Sequence, residues 1–521
     1  TILDSLEEIP DHFSLEFTNQ HDLCPLNQAL RNIHFAESIS VLNEAVNRLK
    51  FDEHFFLQLL MAVRKSSIQQ TGTKALIKIG PQVKLISDSL DFELTSAQKK
   101  VIKEIKNDMA RPFSMNRLLQ GDVGSGKTIV SILVAAIAVA NSVQVAVMAP
   151  TEILAQQHYD SFKIYAETAR MTCAILIGGT PAKERKSILD GLASGQIDII
   201  IGTHALIQED VAFKELGLAI VDEQHRFGVL QRGDLTRKGF NPHLLAMTAT
   251  PIPRTLAITY HGDMDLSIID EMPKDRIPII TKVVEETRLE KIYTFMKEEV
   301  KAGRQCMVVY PLVKETEKSD LAAAVEMHGE LSENVFPELI VGLIHGRMKN
   351  DDKGEVMDAY ARNEIHILVS TTVIEVGIDI PNATVMLIEY ADRFGLTQLH
   401  QLRGRVGRGS EKSYCILVRR NFTENSKKRL RIMESTNDGF VISDEDLKLR
   451  GPGEFFGIRQ SGFLKYKIAN MITDGPILRK ARQSAFELVK SDPNLNQPEN
   501  ELIRTRFMNE YQDKLDRANI S

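Results

Sequence analysis

One octapeptide constrains the fold of this chain more than any other feature of its sequence. The pattern G-x-x-x-x-G-K-[ST] is matched in full by Gly121, Asp122, Val123, Gly124, Ser125, Gly126, Lys127 and Thr128. Glycines let backbone N–H groups turn inward around phosphate oxygens, and a helix that begins after them adds its positive dipole end. The apolar run 129–140 follows directly, which disfavours a chance glycine-rich turn. The octapeptide therefore predicts a phosphate-binding loop that leads into a buried helix.

The last two residues of this loop predict what it binds. Lys127 can bridge the β and γ phosphates of a nucleoside triphosphate. The hydroxyl of Thr128 can ligate Mg²⁺. We therefore expect a nucleoside triphosphate and Mg²⁺ at this loop.

Short apolar segments alternate with helical patterns from about residue 91 onward. The first series of predicted strands covers 144–149, 198–202, 218–221 and 243–247, and the second covers 305–310, 339–344, 366–370, 384–388 and 414–418. Segments rich in Val and Ile without polar alternation suit a parallel sheet that is covered on both faces. Two such series predict two α/β lobes in tandem.

The regions outside the strand series have a different pattern. Residues up to 82 carry apolar side chains at helical spacing, which predicts a helical packing module. Residues 270–286, with Pro273 and Pro278, are predicted to be the hinge between the lobes. After Arg420 the chain is helical and charged, and it is glycine-rich over 449–462. We therefore expect domains at 1–82, 83–272, 273–425 and 426–521.

Composition and charge exclude several classes of protein. The chain of 521 residues is 43% hydrophobic, and its longest apolar run is too short to span a bilayer, so we expect no membrane partner. Its four cysteines are scattered, with no pair at metal or redox spacing, which fits a reducing cytoplasm. The net charge of −6 does not decide whether the chain binds nucleic acid, because binding depends on the few phosphates that a local basic stripe touches.

An acidic pair follows the third predicted strand. Asp222 and Glu223 come directly after the apolar residues 218–221, roughly 100 residues beyond the phosphate loop. Catalytic groups of doubly wound sheets lie at the carboxyl ends of strands. Asp222 would hold Mg²⁺, through water or directly, and Glu223 would polarise the attacking water. Alone, such a pair usually marks a strand that ends at solvent, but after a complete phosphate loop it predicts a catalytic pair.

A cluster of arginines and glycines lies near the end of the second strand series. Arg403, Arg405 and Arg408 alternate with Gly404 and Gly407. Flexible backbone beside several guanidinium groups suits contact with a γ-phosphate, where arginine fingers contribute roughly 10³–10⁵ in rate. A solvated basic loop is the alternative, but it does not explain why the cluster follows a complete second α/β series.

With these three elements in order, the chain resembles superfamily 2 helicases. The matching segments are an adenine-reading segment at 92–98, motif Ia at 149–158, a strand-contacting motif at 202–206, motif III at 247–251, motif V at 370–379 and motif VI at 401–408. The resemblance implies two RecA-like lobes of the P-loop NTPase class, with ATP bound and hydrolysed in the cleft between them.

The same resemblance implies roles for further residues. Gln98 would bind the edge of the adenine base, with Phe92 near it. Gly377 and Asp379 of motif V would contact the nucleotide. Gln401 would join Arg405 and Arg408 at the key catalytic positions of motif VI.

The resemblance narrows to the RecG family and covers nearly the whole chain. Residues 222–228, 251–256 and 345–348 are similar to RecG and to the transcription-repair coupling factor Mfd. Residues 446–462 resemble the segment by which both proteins couple ATP turnover to movement along duplex DNA, and their second half is similar to RecG rather than Mfd. Residues 29–35 and 48–53 resemble the helical connector of RecG. Because RecG proteins open with an OB-fold wedge domain, we expect this chain to start at or after the end of that domain.

This resemblance implies a function. The chain would be an ATP-dependent helicase or translocase on double-stranded and branched DNA that remodels stalled forks and Holliday junctions in recombination and repair. It would act as a monomer at the nucleoid of a bacterial cytoplasm, in contact with replication-fork proteins. A translocase of the transcription-repair-coupling type and a nucleotide-binding scaffold without turnover remain alternatives. Intact Lys127, Glu223 and Arg408 count against the scaffold. The resemblance also implies a coupling role for Arg450, Arg459 and Gln460.

Overall fold

The architecture is known from a computed structural model. It describes residues 9–70, 72–224, 227, 229–251, 253, 262, 264–273, 276–311, 317–371, 380–409, 411–421, 423–450, 466–471 and 473–519. Across these stretches, none of the helices combines the length and the apolar character that a membrane span needs.

The first lobe is built on a seven-stranded parallel sheet. Its strands are β1 (Asn116–Gly121), β2 (Gln144–Met148), β3 (Cys173–Leu176), β4 (Ile199–Gly202), β5 (Leu216–Val221), β6 (His243–Thr248) and β7 (Asp265–Ile269). They lie in the order β3-β4-β2-β5-β6-β1-β7. Every pairing is parallel, so the carboxyl ends of all seven strands meet at one edge. Strands β1 and β5 flank β6, which brings the segments that follow them close together.

The helices of this lobe cover the sheet. They span Pro81–Asp88, Ser96–Met109, Lys127–Ala140, Glu152–Thr168, Ala182–Ser194 and Val229–Thr236, with a short 3-10 helix at His204–Ile207. In the helix Lys127–Ala140 every residue from 129 to 138 is buried. A helix that is apolar on all sides belongs inside a protein. The predicted buried helix after the phosphate loop is therefore confirmed.

The second lobe contains a six-stranded sheet, also parallel throughout. Its strands are β8 (Ile280–Glu285), β9 (Gln305–Val309), β10 (Val341–Ile344), β11 (Ile367–Ser370), β12 (Ala383–Ile388) and β13 (Tyr414–Arg419), in the order β10-β11-β9-β12-β13-β8. Its helices span Leu289–Lys301, Glu317–Glu330, Asn350–Ala361, Leu396–Arg403 and Glu424–Ser435. Two parallel α/β lobes in tandem confirm the predicted fold class, and every predicted strand is present.

Strand β8 corrects the predicted hinge. Residues 280–285 were expected to belong to the hinge 270–286, but they pair with β13 along its whole length. Only Thr281 of β8 is buried and its other residues are partly or fully exposed, as expected for an edge strand, so it lacks the continuous apolar run of an inner strand. The connection between the two sheets is therefore limited to residues 270–279.

Helices from the two ends of the chain form a third packed unit. The N-terminal helices Leu15–Gln20 and Ile39–Gln70 share a core with the later helices Gly475–Ser491 and Glu501–Asn519. The helix Leu26–Asn32 packs against Ile39–Gln70, and Gly439–Arg450 leads towards this unit from the second lobe. Phe51, Phe55 and Phe507 are buried in this core. The fully buried Arg48 donates to Asp11 at 2.6 Å and to Asp52 at 2.8 Å. The predicted helical packing module is thus confirmed, whereas the boundaries of the four predicted domains stay predictions.

Candidate nucleotide cleft between the lobes

The phosphate loop joins the end of β1 to the helix Lys127–Ala140. Gly124 and Gly126 have φ angles of 77° and 86°, in the left-handed region that glycine tolerates best. The Nζ of Lys127 donates to the carbonyl oxygens of Gly121 at 2.8 Å and Asp122 at 2.9 Å. The lysine thus lies folded over its own loop, where it can exchange these carbonyls for phosphate oxygens.

A cleft of about 490 Å³ contains four of the five predicted catalytic residues, Lys127, Glu223, Arg405 and Arg408. Its wall includes Val123, Gly124, Gly126, Lys127, Thr128, His158, Asp222, Glu223, Ala249, Arg405 and Arg408. The first nine of these residues lie in the first lobe and the two arginines in the second. The structure therefore brings together the phosphate loop, the acidic pair and the arginines across one cleft.

The acidic pair lies at the carboxyl end of β5. Glu223 has a φ of 48°, which is uncommon for a residue other than glycine and is typical of functional sites. Burial, followed by the charge of Asp222, raises the pKa of Glu223 above its ordinary value, although Lys127 and Arg405 oppose the shift. The backbone of Ala249, in motif III, also hydrogen-bonds the carboxylate of Glu223.

Asp222 has a partner that sequence reasoning did not identify. The Nε2 of His158 hydrogen-bonds Oδ2 of Asp222 at 2.7 Å, and both side chains are buried. Burial alone would raise the pKa of Asp222, but the contact with His158 and the charge of Lys127 outweigh it and lower this pKa. His158 lies on the helix Glu152–Thr168, so motif Ia contacts the predicted metal ligand directly.

The arginines follow the helix Leu396–Arg403. Arg405 is buried and Arg408 is partly exposed, and the Nε of Arg408 donates to the carbonyl of Gly404 at 3.3 Å. Burial lowers the pKa of Lys127, and the charge of Arg408 adds to this effect. Gln401 is buried in the helix, outside the wall of the cleft.

The two predicted adenine-reading residues differ in exposure. Gln98 is buried, and its side chain and the Thr95 side chain cap the helix Ser96–Met109 reciprocally. Its Nε2 also donates to the carbonyl of Ser125 at 2.9 Å, so the side chain of Gln98 is hydrogen-bonded to the backbone of the phosphate loop. Phe92 is 43% exposed. Contact of either side chain with a base stays a prediction.

The carboxylate of Asp122 does not face this cleft. Gly121, Asp122 and Ser125 were predicted to bind nucleotide as part of the loop. In the structure, Asp122 and Ser125 line a second cavity of about 290 Å³, together with His400 and Arg403. Only the backbone of Asp122 is available to a phosphate from the loop side, because its carboxylate accepts hydrogen bonds from His400 and from the backbone N–H of Gly439. Sequence reasoning missed this contact between the lobes.

The donor chemistry of the cleft fits Mg²⁺. Magnesium prefers oxygen ligands and usually binds one or two carboxylates together with substrate phosphates. Thr128 and Asp222 supply such oxygens on the same cleft wall as Lys127. Within the part of the chain that the structure describes, no cluster of three or more His, Cys, Asp or Glu side chains could hold a metal alone.

Comparisons with known proteins decide the family. The chain is 47% identical over 504 residues to the ATP-dependent DNA helicase RecG of Bacillus subtilis, an alignment that covers 96% of this chain and 74% of that protein. It is 46% identical over 492 residues to the RecG of Synechocystis sp., covering 94% of this chain and 59% of that protein. The chain belongs to the RecG family.

Family profiles and a solved structure show which parts of the chain match known helicase and RecG domains. The profiles that match are DEAD/DEAH box helicase over 95–258, helicase conserved C-terminal domain over 287–410 and ATP-dependent DNA helicase RecG, domain 3, C-terminal over 436–521. A structure of RecG bound to a three-way DNA junction superposes with a TM-score of 0.73 at 43% identity, covering 91% of this chain and 63% of that chain. The chain thus spans about three fifths to three quarters of the length of these RecG proteins.

Some predicted RecG elements lie outside the described residues. Gly377 and Asp379 of motif V belong to this group, as do Arg459 and Gln460 of the coupling segment, and the side chain of Arg450 is likewise not described. Their predicted contacts with nucleotide and DNA stay predictions.

Proposed function

We propose that this chain is an ATP-driven motor that moves along double-stranded DNA and remodels branched DNA. The observation that carries the proposal is the cleft in which Lys127 and Glu223 of one lobe face Arg405 and Arg408 of the other. A site divided between two lobes can open and close with each hydrolytic cycle. Such a cycle provides the relative movement that a motor needs.

In the proposed reaction, each residue of the cleft has a separate task. Lys127 leaves the carbonyls of Gly121 and Asp122 and binds the β and γ phosphates of ATP. A water attacks the γ-phosphorus, the bond to the bridging oxygen breaks, and ADP leaves. Glu223, whose pKa is raised, orients that water and accepts its proton. Arg405 and Arg408 stabilise the charge on the transferring phosphoryl group.

Mg²⁺ is expected to bind together with the nucleotide. Thr128 and Asp222 would hold it, and it would neutralise charge on the β and γ phosphates. His158 fixes the orientation of the Asp222 carboxylate for this task.

Branched DNA is proposed as the substrate because of the RecG relationship. The RecG structure that this chain resembles is bound to a three-way DNA junction. Motif III supports coupling, since Ala249 contacts Glu223 while Thr248 and Thr250 hydrogen-bond each other at 2.7 Å in the same loop. The segment that includes Arg459 and Gln460 is proposed to convert closure of the cleft into movement of the duplex. A monomeric state, contacts with replication-fork proteins and a place at the bacterial nucleoid also stay predictions.

A scaffold without turnover is the less favoured alternative. A scaffold needs a phosphate loop but gains nothing from a buried glutamate and two arginines on the same cleft. A transcription-coupled translocase would share the cleft, but the relatives at 46–47% identity are RecG proteins.

ATP hydrolysis by the purified chain tests the proposal. We expect turnover that rises on addition of a three-way DNA junction, rises less with single-stranded DNA and hardly changes with RNA. Hydrolysis that is insensitive to DNA would overturn the motor, and strongest stimulation by RNA would point to an RNA helicase instead.

A further inference from the structure

The phosphate loop is fastened to the second lobe through one side chain. Asp122 Oδ1 accepts a hydrogen bond from Nε2 of His400 at 2.5 Å, and Asp122 Oδ2 accepts one from the backbone N–H of Gly439 at 2.9 Å. Asp122 and His400 are each 5% exposed. Charge-assisted hydrogen bonds in a water-poor site are stronger and more directional than those at a surface. Asp122 is thus held by groups that lie roughly 300 residues further along the chain.

His400 is fixed on its other side as well. Its Nδ1 accepts a hydrogen bond at 2.9 Å from the guanidinium of Arg403, which is 2% exposed. Arginine has no acceptor atom and a carboxylate has no donor, so the imidazole carries its hydrogen on Nε2. Arg403 also donates to the carbonyls of Met433 and Thr436, each at 2.9 Å. The ring therefore has one available orientation, which points at Asp122.

The arginines of the cleft follow directly in the chain. A Cβ added to Gly404 would lie only 2.8 Å from Cβ of Val123, so the backbone before Arg405 lies directly against the phosphate loop. The side chain of Arg408 is tied back to the carbonyl of Gly404. Any shift of His400 relative to Asp122 would therefore move both Arg405 and Arg408 relative to Lys127.

We propose that Asp122 and His400 are positioning residues, whose contact sets the distance between the arginines of the second lobe and the phosphate loop. This inference rests on the proposed ATP hydrolysis and adds how the two halves of its site are aligned. Neither side chain needs to touch the nucleotide. Their loss acts through Arg405 and Arg408, because a misplaced guanidinium stabilises the transition state less.

A double-mutant cycle tests the proposal. His400→Leu introduces an apolar side chain of similar size and removes both hydrogen bonds, and Arg408→Ala removes one arginine. With junction DNA present, we expect His400→Leu to lower kcat by about tenfold or more and to change the KM for ATP by less than about threefold. The variant with both substitutions should lose clearly less than the product of the two single losses, because part of the effect of His400 passes through Arg408.

The conservative variant and a matched control complete the test. His400→Gln retains an N–H donor and an acceptor, and we expect it to recover most of the kcat that His400→Leu loses. His34→Leu replaces an exposed histidine outside both lobes and should leave kcat unchanged. If His400→Leu is not folded, as judged by thermal unfolding, the double-mutant cycle is measured with Asp122→Ala in its place, combined with Arg408→Ala.

The outcomes separate this inference from the function on which it rests. Multiplicative losses in the double variant, or a normal kcat for His400→Leu, would overturn the positioning role. An unsubstituted chain whose ATP hydrolysis does not respond to DNA would instead overturn the proposed function.

Discussion

His158 and Asp222 are joined by a hydrogen bond of 2.7 Å between Nε2 and Oδ2, although 64 residues separate them in the chain. This contact links the helix Glu152–Thr168 to the end of β5. It restricts the rotation of the carboxylate that we expect to face Mg²⁺. Partners of this kind typically change metal affinity or activity by about 10- to 100-fold when they are removed.

We therefore predict that His158→Ala lowers ATP hydrolysis by about 10- to 100-fold and raises the Mg²⁺ concentration needed for half-maximal rate. His158→Gln, which can still donate to Asp222, should lose less. Steady-state hydrolysis across a Mg²⁺ titration measures both effects. An unchanged Mg²⁺ requirement in His158→Ala would argue that the contact is structural only.

Substitutions of Lys127 and Glu223 should impair different steps of ATP hydrolysis. Lys127→Ala removes the charge that binds the β and γ phosphates, so hydrolysis should fall by at least about 100-fold. Glu223→Gln should still bind ATP while turnover falls by about 10²–10⁴-fold, since the water loses its orienting carboxylate. A fluorescent ATP analogue measures binding separately from hydrolysis. Near-normal turnover in Glu223→Gln would remove this residue from the catalytic role.

Arg405 and Arg408 should matter in the transition state rather than in binding. Replacing either with Ala should reduce kcat by up to about 10³-fold while the KM for ATP stays within about threefold. The reason is that negative charge on the transferring phosphoryl group is stabilised by the guanidinium groups. Initial rates over a range of ATP concentrations, with DNA present, separate the two parameters. A change confined to KM would contradict the assignment.

His243 should make the first lobe sensitive to acid. Its buried ring accepts from the N–H of Met115 at 3.0 Å through Nδ1 and contacts the carbonyl of Lys74 at 3.2 Å through Nε2. Burial lowers the pKa of His243 below 6.5, although the Lys74 carbonyl and Asp108 oppose the shift. Below about pH 6.5 the unfolded chain therefore binds a proton that the folded chain does not, and stability falls as the pH falls.

The comparison with His243→Asn isolates this effect. The difference in Tm between the unsubstituted chain and this variant should shrink from about pH 7.5 to about pH 5.5, because Asn has no such titration. Thermal unfolding followed by circular dichroism measures it. A difference in Tm that stays constant over this range would show that His243 does not titrate on unfolding.

The sequence allowed most inner strands to be predicted, but β1, β3, β7 and β8 were not predicted. Strand β5 is apolar along its length and buried throughout, so composition alone identifies it. Strand β1 contains Arg117 and Gln120, which are also buried. Arg117 is accommodated because its side chain donates to Asp108 and to Ser267 from other elements. Pairing of this kind depends on tertiary structure, which a local pattern does not contain.

The same limit applies to the site. Lys127, Asp222, Glu223, Arg405 and Arg408 belong to short motifs whose chemistry is local, and they line one cleft. His158 and His400 act on residues 64 and 278 positions away, so no spacing rule could have found them. The carboxylate of Asp122 shows the converse, because its motif predicts nucleotide contact while its side chain contacts the other lobe.

Movement along duplex DNA is the central claim, and displacement of a triplex-forming strand tests it most directly. A labelled third strand is bound to a duplex that carries a branch at one end, and its release is followed after addition of the chain and ATP. We predict release that requires ATP and is absent in Glu223→Gln, because translocation along the duplex strips the third strand. DNA-stimulated hydrolysis without any release of the third strand would contradict the account.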